Sequence, residues 1–297
     1  MTKIGLVFPG QGSQYAGMGK NLIAFSFTDP VFTTAKSILG IDVKRLCLEG
    51  SEEDLRQTVH TQTAVFVVSY ICFELLRNRG ISWDIVAGHS LGEYSALIAA
   101  GVIEFKEGLI LIAQRARLMQ EAAEKQDGAM IAVLGITTEK VKEVLEGFRE
   151  QGIVGIANYN CPGQIVVSGE RYLIEKAKAA LEQRGAKRVV LLPVGGAFHT
   201  SMMKDAEEKF NPYLLNSALK DAEVPLVSNT SARASSDANA IKRALSRQMT
   251  SPVLWEQSIR EMQKAGVTTF IEVGPGKVLS GLIRRIDRKA KVSTVEP

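Results

Sequence analysis

A serine between two glycines, in the pentapeptide GHSLG centred on Ser90, is the first candidate for chemistry in this sequence. The apolar run Trp83–Gly88 before it predicts a short strand, and the small residues after it predict a helix. A serine at such a strand-to-helix turn exposes its hydroxyl at the end of a sheet, and small neighbours permit the tight bend. The helix N-terminus directs backbone N–H groups toward a developing negative charge. We therefore predict that Ser90 is a nucleophile and that the N–H of Leu91 is an oxyanion donor.

A serine hydroxyl is a weak nucleophile until a base takes its proton, and histidine is the usual base near neutral pH. The chain contains three histidines, His60, His89 and His199. His89 adjoins Ser90, so around a tight turn its side chain should point away from the hydroxyl. His60 lies at a predicted helix boundary, where a solvated or capping role is usual. His199 lies late in the chain in the glycine-bounded loop GGAFHTS, which suits an α/β-hydrolase-like order, and it is the predicted base.

No acidic residue occupies the position that a catalytic triad requires. In hydrolase triads an Asp or Glu between the serine and the histidine orients the imidazole ring. Between Ser90 and His199 the acidic residues fall mostly within predicted helices, and none occupies a short turn after a strand. The sequence therefore predicts a dyad in which an uncharged group orients His199.

The elements around these residues predict an α/β fold in two parts. Residues 127–196 have the pattern strand, helix, strand, strand, helix, strand, which is the order of a ferredoxin-like unit. In 1–126 and 197–297 strands alternate with helices, which is typical of a mostly parallel sheet covered by helices. We expect an α/β-hydrolase-like large subdomain that carries a ferredoxin-like (βαββαβ) small subdomain as an insertion.

Composition and charge argue against several other classes of protein. The 297 residues are 45% hydrophobic and 23% charged, as in ordinary globular proteins. The net charge of +4 is dispersed without a basic stripe interleaved with aromatic residues, so we expect no nucleic-acid partner. The three cysteines are far apart in the sequence, so we expect no metal site and a reduced, cytoplasmic setting.

The glycine loops and apolar segments argue against a nucleotide cofactor and a membrane partner. The loop that begins at Gly10 lacks the third glycine of a dinucleotide-binding fingerprint, and a methionine stands where a P-loop needs lysine. We also expect no stretch of transmembrane length.

Six motifs occur in order along the chain: FPGQGSQ, GHSLGE, QRARLMQ, NCPGQIVVSG, GAFH and EVGPG. As an ordered set they closely resemble the malonyl-CoA:acyl-carrier-protein transacylases of fatty-acid and polyketide synthesis, over essentially the whole chain. The resemblance implies an α/β-hydrolase-like fold with a ferredoxin-like insertion and a cofactor-independent transfer of malonyl from coenzyme A to an acyl carrier protein. It also implies a monomer.

The resemblance further implies a role for each residue of the reaction centre. Ser90 would carry the malonyl group as an ester, and His199 would act as base, then acid, then base again. The backbone N–H groups of Gln11 and Leu91 would form the oxyanion hole. The backbone carbonyl of Gln248 would orient His199, which would account for the missing acid.

Three more residues would recognise the acyl group. Arg115 would pair with the free carboxylate of malonate, because a guanidinium is planar, permanently charged and able to hold both oxygens. Phe198 would crowd an α-methyl branch, although one methyl group is worth only about 1–3 kcal/mol of discrimination. Asn160 would lie near the acyl site. Arg117, two positions after Arg115 on a predicted helix, should face the surface.

Two alternatives share the same motifs. An acyl hydrolase that clears stalled acyl groups from carrier proteins in polyketide synthesis would form the same serine ester and release it to water. Arg115 argues against it, because an enzyme that removes uncharged chains has little use for a buried cation. A catalytically inactive carrier-protein docking module would need neither Ser90 nor His199, so the presence of both argues against that alternative.

Overall fold

Two separate β-sheets organise the chain in the computed structural model, which describes residues 3–296. Residues 1, 2 and 297 of the predicted ranges lie outside the described part. The strands are β1 (Lys3–Phe8), β2 (Ile85–Gly88), β3 (Gly128–Leu134), β4 (Val154–Cys161), β5 (Gln164–Glu170), β6 (Arg188–Leu191), β7 (Leu226–Val227), β8 (Ala234–Ser235), β9 (Val267–Val273) and β10 (Lys291–Val295). The helices are α1 (Thr28–Leu39), α2 (Val43–Glu49), α3 (Thr58–Asn78), α4 (Gly92–Ala99), α5 (Phe105–Lys125), α6 (Thr138–Glu146), α7 (Arg171–Gln183), α8 (Lys204–Asn216), α9 (Ala238–Leu245), α10 (Trp255–Lys264) and α11 (Val278–Ile286).

The larger sheet is mostly parallel, as predicted. Its strand order is β10-β9-β1-β2-β7-β8, and only β8 runs antiparallel to its neighbour. The central strand β1 is buried on both faces: Leu6 and Phe8 join the core on one side of the sheet, and Val7 joins the core on the other. This alternation explains why β1 appears in the sequence as a continuous apolar run, because a covered parallel strand needs apolar side chains on both faces.

The smaller sheet is antiparallel and confirms the ferredoxin-like insertion. Its order is β4-β5-β3-β6, so the four strands lie in the spatial order 2-3-1-4 of their sequence. Helices α6 and α7 complete the βαββαβ unit. These elements pack around a separate hydrophobic cluster that includes Ile131, Val167 and Leu181. All of them lie inside the predicted segment 127–196, whose limits stay a prediction.

Several elements of the large subdomain differ from the sequence prediction. The apolar run VPLVSN (224–229) predicts a strand that ends at Asn229, but the strand found there, β7, has only two residues. The sequence patterns do not predict helices α1 and α2 or strands β8 and β10. Pro225 lies immediately before β7 and has no N–H to donate, although its carbonyl accepts from Val86. Short edge strands such as β8 and β10 depend on their neighbours in the sheet, so local sequence patterns identify them poorly.

The helix α3 corrects the expectation that no segment reaches transmembrane length. It has 21 residues and a mean hydropathy of 1.4 in its most apolar window, which suffices by length and composition to cross a membrane. However, 78% of that window is buried inside the protein. The apolar character of α3 is therefore explained by its place in the core of the large subdomain.

Three neighbouring strands of the large sheet end at the same edge and bring their following loops together. Phe8 at the end of β1 pairs with Gly88 at the end of β2, and β7 lies on the other side of β2. The loop after β1 passes so close to the turn after β2 that a Cβ atom on Gly10 would lie 2.4 Å from the His89 carbonyl oxygen. Carboxyl ends of parallel strands are where α/β proteins build their sites.

The turn after β2 leaves no space for a side chain at position 88, so we predict that this position requires glycine. A Cβ atom there would lie 2.0 Å from the backbone carbon of Gly92, which cannot move without displacing α4. We expect Gly88→Ala to lower the free energy of unfolding by at least about 1–3 kcal/mol, the usual cost of overpacking. Gly281→Ala is the matched control, because Gly281 is an exposed residue of α11 with open space around it. It should raise stability by about 0.5–1 kcal/mol. Denaturant unfolding measures both changes, and a Gly88→Ala variant as stable as the unmodified protein would contradict the analysis.

Candidate active site

Ser90 lies in a strained turn between β2 and α4. Its φ angle is +52°, a left-handed conformation that is costly for a residue with a side chain. Asn229, just after β7, holds both sides of the turn: its Oδ1 accepts from the Ser90 N–H at 2.7 Å, and its Nδ2 donates to the Gly88 carbonyl at 2.6 Å. The strain is therefore maintained by hydrogen bonds from a neighbouring strand end, and the serine hydroxyl projects from the edge of the sheet.

The structure brings His199 into contact with Ser90. The His199 Nε2 atom lies 2.9 Å from the Ser90 Oγ atom. On the other side of the ring, Nδ1 lies 3.0 Å from the Gln248 carbonyl oxygen and 3.1 Å from the Ser251 carbonyl oxygen. Carbonyl oxygens only accept, so Nδ1 carries the proton and Nε2 is free to accept the serine proton. The arrangement is a dyad oriented by two uncharged groups.

His199 is buried, and its environment keeps the imidazole neutral. Burial, together with the nearby positive charge of Arg115, lowers the pKa of His199 to about 3, although its two carbonyl partners oppose the shift. A neutral imidazole is the form that can take a proton from Ser90. After proton transfer His199 becomes an imidazolium. Because this cation is buried next to carbonyl oxygens, it is less stable than an imidazolium beside a carboxylate.

Arg115 extends from α5 into the same site, with its side chain 0% exposed. Its Nη2 donates to Ser90 Oγ at 3.1 Å, and its Nη1 donates to Gln62 Oε1 at 2.6 Å. The guanidinium also lies 5.6 Å from the centre of the Tyr94 ring. Within residues 3–296 no carboxylate lies within ion-pair distance of it, and burying a cation without such a partner is costly. The arrangement favours binding of an anionic group beside the nucleophile.

Arg117 behaves as the helical spacing predicts. Its side chain is exposed and forms an ion pair with Glu121 on the outer face of α5. The two arginines are two positions apart on one helix, so they face different directions.

Gln248 and Glu93 form a buried network behind the reacting atoms. The Gln248 Oε1 accepts from Arg115 Nη2 at 3.0 Å and from Nε at 3.2 Å, while its Nε2 donates to the Ser90 carbonyl at 3.0 Å. The same Nε2 donates to Glu93 Oε2 at 2.5 Å, and the Asn229 N–H donates to Glu93 Oε1 at 3.2 Å. Burial raises the pKa of Glu93 to about 7, although these hydrogen bonds oppose the shift.

Sequence reasoning missed four of these contacts. It did not identify Gln62, Glu93, Asn229 or Ser251, and it assigned a role only to the backbone of Gln248. The sequence positions of two of these residues could have indicated a place near the site. Glu93 stands three positions after Ser90 on a predicted helix, and Asn229 ends a predicted strand. Both are polar residues that the fold buries beside the nucleophile.

A small cavity opens at Ser90 between the two subdomains. Its volume is about 90 Å³. The large subdomain contributes the nucleophile, the base and the loop after β1, whereas the small subdomain contributes apolar side chains and one amide. The lining residues are Gln11, Gln62, His89, Ser90, Leu91, Met119, Met130, Asn158, Leu192, Val194, Phe198 and His199.

Both predicted oxyanion donors line this cavity. Gln11 follows β1 and Leu91 precedes α4, and both line the cavity with Ser90. No acceptor in the described part of the chain takes the backbone N–H of either residue. Phe198 also lines the cavity, as expected of a residue that limits the size of the acyl group.

Asn160 lies beside this cavity, in contact with the lining residue His89, and its role near the acyl group stays a prediction. Its Oδ1 lies 2.9 Å from the Nε2 of His89, and Asn158, two positions earlier, lines the cavity instead. Residues two positions apart on a regular strand face the same way, but β4 has register irregularities between Ile156 and Asn158 and between Tyr159 and Cys161. The second one includes Asn160 and separates its direction from that of Asn158, which sequence alone does not reveal. The Nε2 atom of His89 is engaged by Asn160, whereas the hydroxyl of Ser90 contacts His199.

His60 and the possible metal donors lie outside this constellation. His60 is the third residue of α3, and its Nδ1 lies 3.0 Å from the Asp54 carbonyl. Among residues 3–296, no cluster of three or more His, Cys, Asp or Glu side chains has a geometry that would hold a metal ion.

A wider groove of about 500 Å³ continues outward from His199. It runs between helix α6 of the small subdomain and the segment that contains Thr250 and Pro252 of the large subdomain. Lys142 and Arg149 lie along one wall, together with Glu146. His199 lines both this groove and the cavity at Ser90.

Comparison with known proteins agrees with this geometry. The family model described as the acyl transferase domain matches residues 6–296. A malonyl CoA-acyl carrier protein transacylase of Bacillus subtilis (strain 168) is 43% identical over 297 residues, which cover 99% of this chain and 94% of the relative. The enzyme of the same name from Staphylococcus aureus (strain COL) is 39% identical over 300 residues, with 100% and 96% of the two chains covered.

Solved structures show the same similarity. The acyl-carrier-protein S-malonyltransferase of Burkholderia pseudomallei 1710b superposes with a TM-score of 0.96 at 38% identity, covering 100% of this chain and 97% of that one. A malonyl-transacylase solved in complex with its type II polyketide synthase acyl carrier protein superposes with a TM-score of 0.94 at 37% identity, with 99% and 95% covered. Both the sequence and the fold therefore place this chain in the acyl transferase domain family, among the malonyl CoA-acyl carrier protein transacylases.

Proposed function

We propose that this chain transfers a malonyl group from malonyl-CoA to the phosphopantetheine thiol of an acyl carrier protein, through an ester on Ser90. The observation that carries this proposal is the buried Arg115 guanidinium, which lies 3.1 Å from the nucleophile and has no carboxylate partner in the described residues. The names of the similar proteins, and the neighbour solved with an acyl carrier protein, support the same substrates.

The first half of the reaction loads the serine. His199 Nε2 takes the proton of Ser90 Oγ as this oxygen attacks the thioester carbonyl of malonyl-CoA. The carbonyl oxygen becomes negative and is held by the N–H groups of Gln11 and Leu91. The carbon–sulfur bond then breaks, His199 returns its proton to the departing sulfur, and coenzyme A leaves as a thiol.

The second half repeats these steps with another thiol. The groove of about 500 Å³ outside His199 can admit a phosphopantetheine arm. His199 takes the proton of the carrier thiol, and the sulfur attacks the ester carbonyl. The carbon–oxygen bond to Ser90 breaks, and the serine oxygen recovers the proton from His199. The enzyme returns to its starting state without a cofactor.

Arg115 selects the acyl group and also affects the base. A malonyl carboxylate would accept hydrogen bonds from the guanidinium, whereas an acetyl group offers it no acceptor. Because the charge of Arg115 contributes to the low pKa of His199, a bound carboxylate offsets this charge and makes His199 a stronger base. The correct substrate therefore strengthens the base that reacts with it.

Transfer rather than hydrolysis is the outcome that the similar proteins support. A hydrolase would use the same ester but would have to activate water at His199. The histidine is oriented by the carbonyls of Gln248 and Ser251, so it gains less imidazolium stabilisation than a histidine beside a carboxylate. Burial, the main cause of the low pKa of His199, persists when a malonyl carboxylate is bound at Arg115, so we propose that the base stays weak enough to protect the ester until a thiol arrives.

The setting of the enzyme is part of the proposal. We propose a cytoplasmic monomer that needs no metal or organic cofactor and that binds neither nucleic acid nor a membrane. The cysteines Cys47, Cys72 and Cys161 are all buried and free, in agreement with a reducing compartment.

Replacement of the nucleophile tests the serine ester. Ser90→Ala should remove covalent loading from malonyl-CoA and reduce transfer by at least about 10⁴-fold, as expected when a nucleophile is lost. Intact-protein mass spectrometry measures the malonyl adduct, and addition of phosphopantetheinylated carrier protein shows whether the adduct moves. Ser236→Ala, at an exposed serine, is the control that should load normally. Loading that survives in Ser90→Ala would exclude the mechanism, and free malonate without acylated carrier in the unmodified protein would identify a hydrolase.

Replacement of the buried cation tests the carboxylate site. Arg115→Ala should slow loading from malonyl-CoA by at least about 10- to 100-fold, because it removes charge-assisted hydrogen bonds, and should leave loading from acetyl-CoA unchanged or faster. Arg117→Ala, on the exposed face of the same helix, is the matched control and should change neither rate. The measurement is the ratio of kcat/KM for the two donors. An equal loss for both would show that Arg115 does not bind the carboxylate.

A further inference from the structure

We propose that Glu93 is a positioning residue for substrate selection: it orients the side-chain amide of Gln248, which in turn fixes the Arg115 guanidinium toward the acyl carboxylate. This inference rests on the proposed function, because it concerns the choice between malonyl and uncharged acyl donors. It assigns a role to a buried carboxyl group that neither the dyad nor the oxyanion hole requires.

The position of Glu93 is unusual for a carboxyl group. It is 1% exposed and lies on α4 one helical turn after Ser90. No lysine or arginine in the described part of the chain forms an ion pair with it. Both of its oxygens instead accept hydrogen bonds from uncharged groups, Oε2 from the Gln248 amide and Oε1 from the Asn229 backbone. Buried carboxyl groups are costly, so one held in this way needs a specific explanation.

The contacts of Gln248 explain why an acceptor is needed at this position. Its Nε2 faces two acceptors, Glu93 Oε2 and the Ser90 carbonyl, and its Oε1 faces the guanidinium of Arg115, which can only donate. If the amide were turned over, its NH₂ group would face the guanidinium and its oxygen would face two acceptors. Glu93, together with the Ser90 carbonyl, therefore sets the direction of the amide, and the amide oxygen sets the position of two guanidinium nitrogens.

Gln248 contacts Arg115 and His199 through different groups, so the choice of acyl donor and the basicity of His199 depend on different contacts. Its side chain contacts Arg115, whereas its backbone carbonyl contacts His199. The Ser251 carbonyl is a second partner of His199 and does not depend on the Gln248 side chain. A change at Glu93 should therefore disturb the carboxylate site while the dyad keeps its orientation.

The test compares malonyl-CoA with acetyl-CoA as donors for Ser90 acylation. Glu93→Gln keeps the shape of the side chain. It replaces one acceptor oxygen by an NH₂ group, which then faces either the Gln248 amide NH₂ or the Asn229 backbone N–H, both of which are donors. We expect the malonyl-to-acetyl ratio of kcat/KM to fall about 5- to 30-fold, as when one buried hydrogen-bonding group is left unsatisfied, with most of the loss in the malonyl reaction. Glu121→Gln makes the same chemical change on the exposed face of α5 and should leave the ratio unaltered.

A double-mutant cycle with Gln248→Met distinguishes positioning from general packing. Methionine retains the length of the side chain and the backbone carbonyl but removes every side-chain hydrogen bond of Gln248. Gln248→Met should lower the same ratio, and Glu93→Gln should lower it no further in that background, because the two residues act through one contact. The proposal would be overturned if the two effects on the ratio multiply in the double variant. It would also be overturned if Glu93→Gln lowers kcat/KM equally for malonyl-CoA and acetyl-CoA.

Three further outcomes distinguish a folding defect, failure of the proposed function and failure of the role of Glu93. If Glu93→Gln does not fold, the same cycle is measured with Glu93→Asp, whose shorter carboxylate cannot reach both donors, and multiplying effects there would also overturn the proposal. If the unmodified protein forms no malonyl ester, the proposed function fails. A normal ester with an unchanged ratio in Glu93→Gln contradicts only the role of Glu93.

Discussion

The burial of one positive charge beside the nucleophile is the constraint on which the site depends. The Arg115 side chain is fully removed from water, and desolvation of a guanidinium costs several kcal/mol unless polar groups replace its hydration. The protein supplies oxygens from Gln62, Gln248 and Ser90 and the face of Tyr94, but no carboxylate within ion-pair distance in residues 3–296. The cation is thereby held in place without being neutralised. A site that recognises a carboxylate needs this combination, because a permanent ion pair would compete with the substrate.

The same charge shapes the chemistry of the base. Arg115 and burial together keep His199 neutral, and two backbone carbonyls fix the tautomer that presents Nε2 to Ser90. A carboxylate in place of these carbonyls would stabilise the imidazolium, but it would also lie close to the guanidinium and neutralise it. In the described part of the chain the partners of His199 Nδ1 are two carbonyls and no carboxylate, which agrees with the proposed binding of an anionic group at Arg115. Selection and catalysis share one electrostatic environment.

Both subdomains contribute to the wall of the cavity at Ser90. The large sheet aligns the ends of β1, β2 and β7, so that Gln11, Ser90 and Asn229 meet at one edge. The small subdomain adds Met130, Asn158 and Leu192 as the opposite wall of the cavity. Ser90 and His199 thus belong to the large subdomain, while the inserted unit limits the space beside them. The groove outside His199 follows the boundary between the two parts.

The sequence by itself determined the elements that depend on local patterns. The apolar run of β1, the glycines that flank Ser90 and the βαββαβ order of the insertion are each specified by neighbouring residues, through burial periodicity and the space available in a tight turn. The ordered motifs identified Ser90, His199 and Arg115 before any distance was known. Only the tertiary structure decided how residues far apart in the chain meet: Asn229 across the serine turn, Glu93 against Gln248, and Asn158 rather than Asn160 in the cavity. These contacts depend on the strand order, on register irregularities in β4 and on which polar side chains are buried next to each other. They join residues that are far apart in the chain, so no periodic pattern in the sequence predicts them.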